Sequence, residues 1–299
     1  MSQALALDTV TTSRFRVLPS TAPLGNEIVG LDLSQPLDAD TYAELHRAYD
    51  AHSVLVYRNQ HLTPEQHIRF SKGFGPLEIH VVAKYLLPGH PEIFRVSNIL
   101  ENGQRIGGSG EFWHTDLSYV AQPSRGSLLY SIEVPMRDGK PLGDTLYAST
   151  AAAYDALSNA MKKRLEGLVG IHRFSDVYSK VGRERAGAAA MTDELKAKVP
   201  EVRHPVVKVH PNTGRKCLFV NEGFTLGIEG MPDDEASALL RELFDHCTRP
   251  EFVYRHVWQV GDLVMWDNYA TIHRGTGGYS ADERRLLHRT TLQGGAAGA

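Results

Sequence analysis

The chain has 299 residues, 42% of them hydrophobic and 22% charged, with a formal net charge of −3; that suits one large core with insertions and offers nothing for nucleic acid or an anionic membrane to grip. The two cysteines, Cys217 and Cys247, stand far apart without metal-ligand or redox spacing, as expected of reduced thiols in a cytoplasmic protein. The opening MSQALALDTVTTSRFRVLP has no basic head running into a long apolar stretch, so neither a secretory signal nor a membrane span is expected.

Residues 1–13 and 294–299 read as flexible ends of a single domain, 14–293. Residues 15–18 and 27–31 predict strands around a turn at Leu24-Gly25-Asn26, and 40–51 a helix leading into a buried strand at 53–57. Thr63-Pro64-Glu65-Gln66 has the form of a helix start, with threonine as cap and proline in the first turn. That helix should run to Phe74 and stop at Gly75-Pro76. Residues 143–148 predict a strand, Thr150 caps a helix through Leu157, and 161–168 continue in helix. Residues 205–209 and 216–220 flank Pro211-Asn212-Thr213-Gly214, a hairpin turn. A helix over 233–246 places Leu239, Leu240 and Leu243 on its core face, and strands follow at 252–258, 263–267, 270–273 and 286–292. Strands that do not alternate regularly with helices argue against a doubly wound sheet. They favour a mainly β fold with flanking helices, a jelly roll of the cupin kind whose mouth gathers inward-facing side chains.

Two segments carry chemistry. In Phe112-Trp113-His114-Thr115-Asp116-Leu117-Ser118-Tyr119, His114 and Asp116 stand two apart and would share one face of a strand. Two histidines and one carboxylate on one face of an octahedron hold Fe(II) in non-haem oxygenases and leave the other face open. With 14 histidines, about one His-x-Asp arises by chance, so spacing alone leaves each histidine an ordinary polar residue. His90-Pro91-Glu92 has the same spacing, but its flanking Pro88-Gly89 suggests an exposed turn. A third ligand must come from downstream. His273, where two strand-like runs end before Gly275, is the best placed, with His256 and His288 as competitors. The second segment, 284–292, would put Arg285, Leu287 and Arg289 on one strand face and Arg284, Leu286 and His288 on the other. Arg285 and Arg289 would then lie roughly 13 Å apart. One guanidinium could clamp a dicarboxylate and the other a second anion nearer the metal. The same pattern also suits an edge strand charged against aggregation.

Trp113-His114-Thr115-Asp116, Gly143-Asp144-Thr145-Leu146, 260–268 with His273, and 284–289 occur in an order and separation that resemble the TauD/TfdA family of Fe(II)/2-oxoglutarate-dependent dioxygenases, which includes taurine dioxygenase and 2,4-dichlorophenoxyacetate dioxygenase. Residues 24–33 and Phe74-Gly75-Pro76-Leu77 match the family too, so the likeness runs from about 14 to 293. The resemblance implies a double-stranded β-helix and a ferrous ion held by His114, Asp116 and His273. It implies 2-oxoglutarate as co-substrate, its distal carboxylate on Thr145 and Arg285, and hydroxylation by O2 with release of succinate and CO2. It sets Arg289 and His80 near the anionic head of a small acidic substrate (sulfonate, sulfate or carboxylate), and it implies a homo-oligomer, dimer or tetramer.

Trp113 and Tyr119 flank the ligand segment; each either walls the site or packs the core, and Tyr119 is the better candidate for touching substrate. Two positions depart from the family. Its taurine-binding tyrosine is replaced by Ala83, and an asparagine four residues before the first ligand is replaced by Gly110. Both changes speak against taurine and predict a larger, less polar pocket. The alternatives are a non-enzymatic cupin-like metal- or ligand-binding protein, a zinc hydrolase using the same triad, and a family member acting on an aryloxyalkanoate or an amino acid derivative.

Overall fold

A computed structural model describes residues 10–12, 14–108, 110–174, 197 and 199–295. Among these, nine strands form the larger sheet, in the order Val10–Thr11, Arg16–Leu18, Asn26–Val29, Val54–Tyr57, Leu263–Asp267, Gly126–Glu133, Leu286–Leu292, His90–Ser97 and Leu86–Leu87. Only the contact between Asn26–Val29 and Val54–Tyr57 is parallel among the described strands of this sheet. A smaller antiparallel sheet of Val253–His256, Thr145–Ser149 and Thr271–Gly275 faces it. Between them lies a layer that includes Val54, Val56, Leu129, Tyr147, Trp258, Val264, Trp266 and Leu287. Two facing sheets woven from early and late segments make the expected jelly roll.

Alternation along the central strands divides side chains between two cores. Val54, Val56, Leu129, Val264 and Trp266 enter the layer between the sheets, whereas Leu55, Tyr57, Leu128, Tyr130, Leu263 and Met265 enter a second core beneath the helices. Strands covered on both faces carry apolar runs rather than a period of two. That is why Gly126–Glu133, buried over its first six residues, was not predicted as a strand. His90–Ser97 was missed for another reason: Pro91 reads as a turn, yet it follows the first strand residue, near an end where a missing N–H is tolerated.

The helices Ala39–His52 and Pro64–Lys72 cover the outer face of the larger sheet. The Asp38 carboxylate accepts from the Thr41 N–H at 2.7 Å, a cap worth about 1 kcal/mol. Thr63 and Gln66 form the expected reciprocal cap, with bonds of 2.8 and 3.3 Å. Leu45, Tyr49, Ile68 and Phe70 carry the apolar faces of these helices inward. Leu45 is fully buried, which contributes about 1.5–3 kcal/mol. The helix Asp233–Cys247 buries Ala236, Leu239, Leu240, Leu243 and Cys247 at helical spacing, in one cluster with Ala148 and Ile272 from the outer face of the smaller sheet.

Several boundaries differ from expectation. Ser149, not Thr150, caps the helix Thr150–Asp155, its hydroxyl accepting from the Ala152 N–H. The helix expected over 161–168 is Asn159–Arg164, capped by Ser158, and the chain then turns through Gly167 at φ +75°. The strand expected over 205–209 divides into Val202–Pro205, paired with Val169–His172, and Val207–Val209, paired with Lys216–Leu218 around the expected hairpin turn. Val10–Thr11 pairs with Arg16 and Val17, while 1–9 and 296–299, the outer parts of the stretches read as flexible, lie outside the described residues. No helix among the described residues is long and apolar enough to cross a membrane.

Candidate active site

His273 sits on the smaller sheet, in the strand Thr271–Gly275, and His114 pairs with it across an isolated antiparallel bridge. The His114 N–H donates to the His273 carbonyl at 3.0 Å and the His273 N–H donates back at 2.8 Å. This doubly bonded pairing sets the two side chains side by side, ring centroids 4.2 Å apart. Asp116 arrives differently. The expectation that His114 and Asp116 share a strand face is corrected, because the chain turns at Asp116 and Leu117 stands at φ +54°. The turn still brings the carboxylate to the imidazoles: ligand atoms of His114, Asp116 and His273 all lie within 4.8 Å of one another, and all three residues are buried.

The protonation states suit a metal. His114 Nδ1 lies 2.8 Å from the Phe112 carbonyl, which only accepts, so the ring proton sits on Nδ1 and Nε2 offers its lone pair. Burial above all lowers the pKa of both histidines, so they are neutral at pH 7. Burial opposes ionisation of Asp116, but the Arg289 guanidinium, helped by the Ser127 hydroxyl, outweighs it and holds the carboxyl well below the usual range. Asp116 Oδ1 accepts from Arg289 Nη1 at 2.5 Å, and Oδ2 accepts from the Ser127 hydroxyl at 2.7 Å. His273 Nδ1 is buried with no hydrogen-bond partner. Two neutral imidazoles, one of them with an unpartnered nitrogen, and one anionic carboxylate fit a divalent ion.

The competing histidines lie elsewhere. His256 is fully buried between Asp262, 3.1 Å from its Nε2, and the Tyr254 hydroxyl, 3.0 Å from its Nδ1. His288 takes the opposite strand face from Arg289, and burial, chiefly, pushes its pKa down to about 4. His90 begins a strand rather than occupying a turn, which corrects the reason for setting it aside, and its Nε2 meets Glu65 at 3.3 Å.

The same cavity takes in the other expected residues: Thr145, Arg285, His80, Arg289 and Tyr119. Arg285 stands just before the strand Leu286–Leu292, beside a register shift between Leu286 and Leu287. Its backbone is held by Asn98 Oδ1, which accepts from the Arg285 N–H at 2.8 Å, and by the Ser97 hydroxyl, which donates to the Arg285 carbonyl at 2.8 Å. The guanidinium donates to the Gly143 carbonyl at 3.2 Å. Gly143 has φ +74°, and a Cβ there would stand 2.9 Å from Arg285 Nε, so only glycine admits the arginine. Among the described residues no carboxylate forms an ion pair with this buried arginine. Thr145 Oγ1 accepts from Trp258 Nε1 at 2.9 Å, which leaves its hydroxyl proton to donate. A buried arginine beside a hydroxyl donor fits the far carboxylate of a dicarboxylate such as 2-oxoglutarate.

On the other side of the triad, Arg289 lies over the Phe94 ring, 4.9 Å from its centroid. His80 Nδ1 accepts from the Val82 N–H at 3.1 Å, so its proton sits on Nε2. Burial first, then Arg289, pushes the His80 pKa down to about 3, which leaves a neutral donor. Tyr119 is packed against Phe174 and Phe224, with centroids at 4.4 and 4.7 Å. Trp113 instead packs in the core with Ala148 and Ile272.

The extra room expected from the two departures is not found. Ala83 is exposed on a short 3-10 turn, and Tyr85, two residues on, lines the cavity in its stead. At Gly110 a Cβ would stand 2.4 Å from His114 Cε1, so the His114 ring already fills the space a side chain would need. Sequence reasoning missed the aromatic walls (Tyr85, Phe94, Phe112, Phe174 and Phe224), which come from separate segments with no shared spacing. It also missed Ser127, hidden in an unrecognised strand.

A family model, taurine catabolism dioxygenase TauD, TfdA family, matches residues 16–291. The chain belongs to the TauD/TfdA family. Alpha-ketoglutarate-dependent 2,4-dichlorophenoxyacetate dioxygenase of Cupriavidus pinatubonensis is 37% identical over 273 residues, 87% of this chain and 91% of the relative. The crystal structure of a taurine dioxygenase from Burkholderia xenovorans superposes with a TM-score of 0.78 at 33% identity, covering 94% of this chain and 90% of that one. The structure of AAD-2 in complex with Mn(II) and N-oxalylglycine gives 0.76 at 34% identity, covering 94% and 98%. This TauD/TfdA enzyme is thus an Fe(II)- and 2-oxoglutarate-dependent dioxygenase that uses O2 and acts on a small molecule.

Proposed function

We propose that the enzyme hydroxylates a small acid (carboxylate, sulfonate or sulfate) that carries an apolar, ring-sized body. In this reading His114, Asp116 and His273 hold the ferrous ion, Arg285 and Thr145 hold the distal carboxylate of 2-oxoglutarate, and Arg289 with His80 holds the acid group of the substrate. Tyr119 forms part of the wall against which the substrate body packs. The observation that carries it is the composition of the cavity beside the triad, where Val82, Tyr85, Phe94, Tyr119, Phe174 and Phe224 supply apolar and aromatic wall alongside the basic Arg289 and His80. An ammonium such as that of taurine would lose its hydration against these rings. The relationship to a 2,4-dichlorophenoxyacetate dioxygenase supports an aryloxy acid as the first compound to try.

With iron and 2-oxoglutarate bound, the site supplies the oxidation, in which 2-oxoglutarate and O2 give succinate, CO2 and one hydroxyl on the substrate. The protein binds, orients and shields. Arg285 and Thr145 fix one end of the co-substrate. The aromatic walls keep water from the reacting carbon. Arg289 pairs with Asp116 in this structure; once Asp116 serves as a ligand, the guanidinium is available to the substrate acid. His80 presents Nε2–H to the same group as a neutral donor.

The test is succinate release across a panel of aryloxy acids, aryl sulfonates, alkyl sulfates and taurine. We expect the ring-bearing acids to be turned over best, and taurine turnover equal to theirs would overturn the assignment. We further infer a cytoplasmic homo-oligomer, dimer or tetramer. The free, buried thiols of Cys217 and Cys247 support a reducing compartment, and the oligomer rests on the family likeness, to be checked by light scattering.

A further inference from the structure

We infer that Ser127 is a positioning residue for Asp116, aimed by Asn268 and Trp266 so that the carboxylate presents one oxygen to the metal. The inference rests on the reading of His114, Asp116 and His273 as the metal site. Its basis is a hydrogen-bond chain whose direction is settled at every link. Trp266 Nε1–H can only donate, and it meets Asn268 Oδ1 at 2.9 Å. That fixes the Asn268 amide, so Nδ2 is the atom facing Ser124 Oγ at 2.9 Å and Ser127 Oγ at 3.3 Å. Both hydroxyl oxygens therefore accept from Asn268, and both hydroxyl protons are free to point onward. The Ser124 proton goes to the Asp116 carbonyl at 3.0 Å, and the Ser127 proton to Asp116 Oδ2 at 2.7 Å. Two of the acceptors of one residue are held by a relay that begins at an indole.

The place of this relay in the fold suits the task. Ser127 lies in the middle of the larger sheet, its backbone paired with Trp266 on one side and Thr291 on the other. Asp116 lies on a turn, where nothing in the backbone ladder fixes its side-chain rotation. Ser124, Ser127 and Asn268 are all essentially fully buried, so water cannot replace a lost partner. With Oδ2 held by Ser127, Oδ1 is the oxygen on the triad side, 3.9 Å from His114 Nε2, where it also accepts from Arg289 Nη1 at 2.5 Å. Without Ser127 the carboxylate would be held through Oδ1 by Arg289 alone and could turn about that contact, bringing Oδ2 toward the imidazoles or drawing Oδ1 away from them. Hydrogen bonds that orient a metal-ligating carboxylate typically affect metal affinity 10- to 100-fold.

The experiment is a Mn(II) titration of the full chain by calorimetry, without 2-oxoglutarate or substrate, with the electron paramagnetic resonance spectrum of the bound Mn(II) as a second readout. We expect Ser127→Ala to weaken Mn(II) binding by about 10- to 100-fold and to alter the spectrum. Asn268→Ala, which leaves Ser127 in place but removes the donor that aims it, should do the same, and it carries the test should Ser127→Ala not fold. The losses in the double variant should be clearly less than additive, because both changes break the Ser127 arm, and only Asn268→Ala also loosens Ser124. Affinity within about twofold of the parent in either folded variant, or fully additive losses, would overturn the relay. A parent chain that bound no Mn(II), or a His114→Ala variant that bound it as tightly as the parent, would instead sink the metal site itself and the relay with it.

Discussion

Arg289→Ala isolates what the arginine does for the fold from the substrate role proposed for it. In this structure the guanidinium neutralises Asp116 inside the molecule, with side-chain exposures of only 10% and 5%. Removing one partner of a buried pair costs about 3–5 kcal/mol, because the other charge is left uncompensated. Asp116 can partly escape by taking up a proton, since it is Arg289 that holds its carboxyl low against the effect of burial. That places the loss toward the lower end. At about 2 °C per kcal/mol for a large domain, a loss near 3 kcal/mol should lower the melting temperature of the metal-free protein by roughly 6 °C. A bound divalent ion balances the same carboxylate, so with saturating Mn(II) the fall should shrink to about 2 °C or less. The assay is thermal unfolding of parent and variant, once in chelator and once in Mn(II). An equal fall under both conditions would refute the reasoning, because it would show that the arginine contributes packing rather than charge balance.

Arg285→Ala should weaken 2-oxoglutarate binding by about 10- to 150-fold, the worth of one charge-assisted hydrogen bond of 1.5–3 kcal/mol, with little change in KM for the prime substrate. Equal effects on both ligands would mean that the two ends of the cavity have been confused. Gly110→Ala should cost at least about tenfold in Mn(II) affinity while the far-ultraviolet spectrum stays unchanged, because the new methyl group displaces the His114 ring; unaltered affinity would show that the backbone yields instead. Burial, chiefly, pushes His67 and His172 down to about 3 and His288 to about 4, against an ordinary value of about 6.5. Each takes up a proton on unfolding between those values, so stability is complete above about pH 6.5 and falls as the pH drops, by up to about 1.4 kcal/mol per unit for each ring. His172→Phe removes one such ring from a site where it already packs against Phe219. Urea unfolding near pH 5 should then show a slope shallower by that amount, and an unchanged slope would exclude His172 as a contributor.

Much of the local structure was legible because it depends on neighbours in the chain. The Thr63–Gln66 cap, the apolar stripe of Leu239, Leu240 and Leu243, and the hairpin around Pro211-Asn212-Thr213-Gly214 follow from short-range donors, periodicity and turn chemistry. The strands Gly126–Glu133 and His90–Ser97 were not legible. One is buried on both faces over most of its length and the other carries a proline at its second residue. Losing the first meant losing Ser127, and with it the partner of Asp116.

Residue chemistry marked His114, Asp116, His273, Arg285, Arg289 and Tyr119 as candidates, and motif order, through the resemblance to a family, settled the ligand set and added Thr145 and His80. Only the tertiary structure decided how these residues meet. His114 and His273 come together through two backbone hydrogen bonds between distant segments, Asp116 arrives on a turn rather than a strand, and Gly110 makes room for a ring rather than leaving a gap. The aromatic wall of the cavity likewise exists only where Tyr85, Phe94, Phe174 and Phe224 converge. A sequence records which groups can donate, accept or carry charge. Whether they stand within reach is set by strand register and by which face of a sheet each residue takes, and burial on both faces erases the alternation from which that choice could have been read.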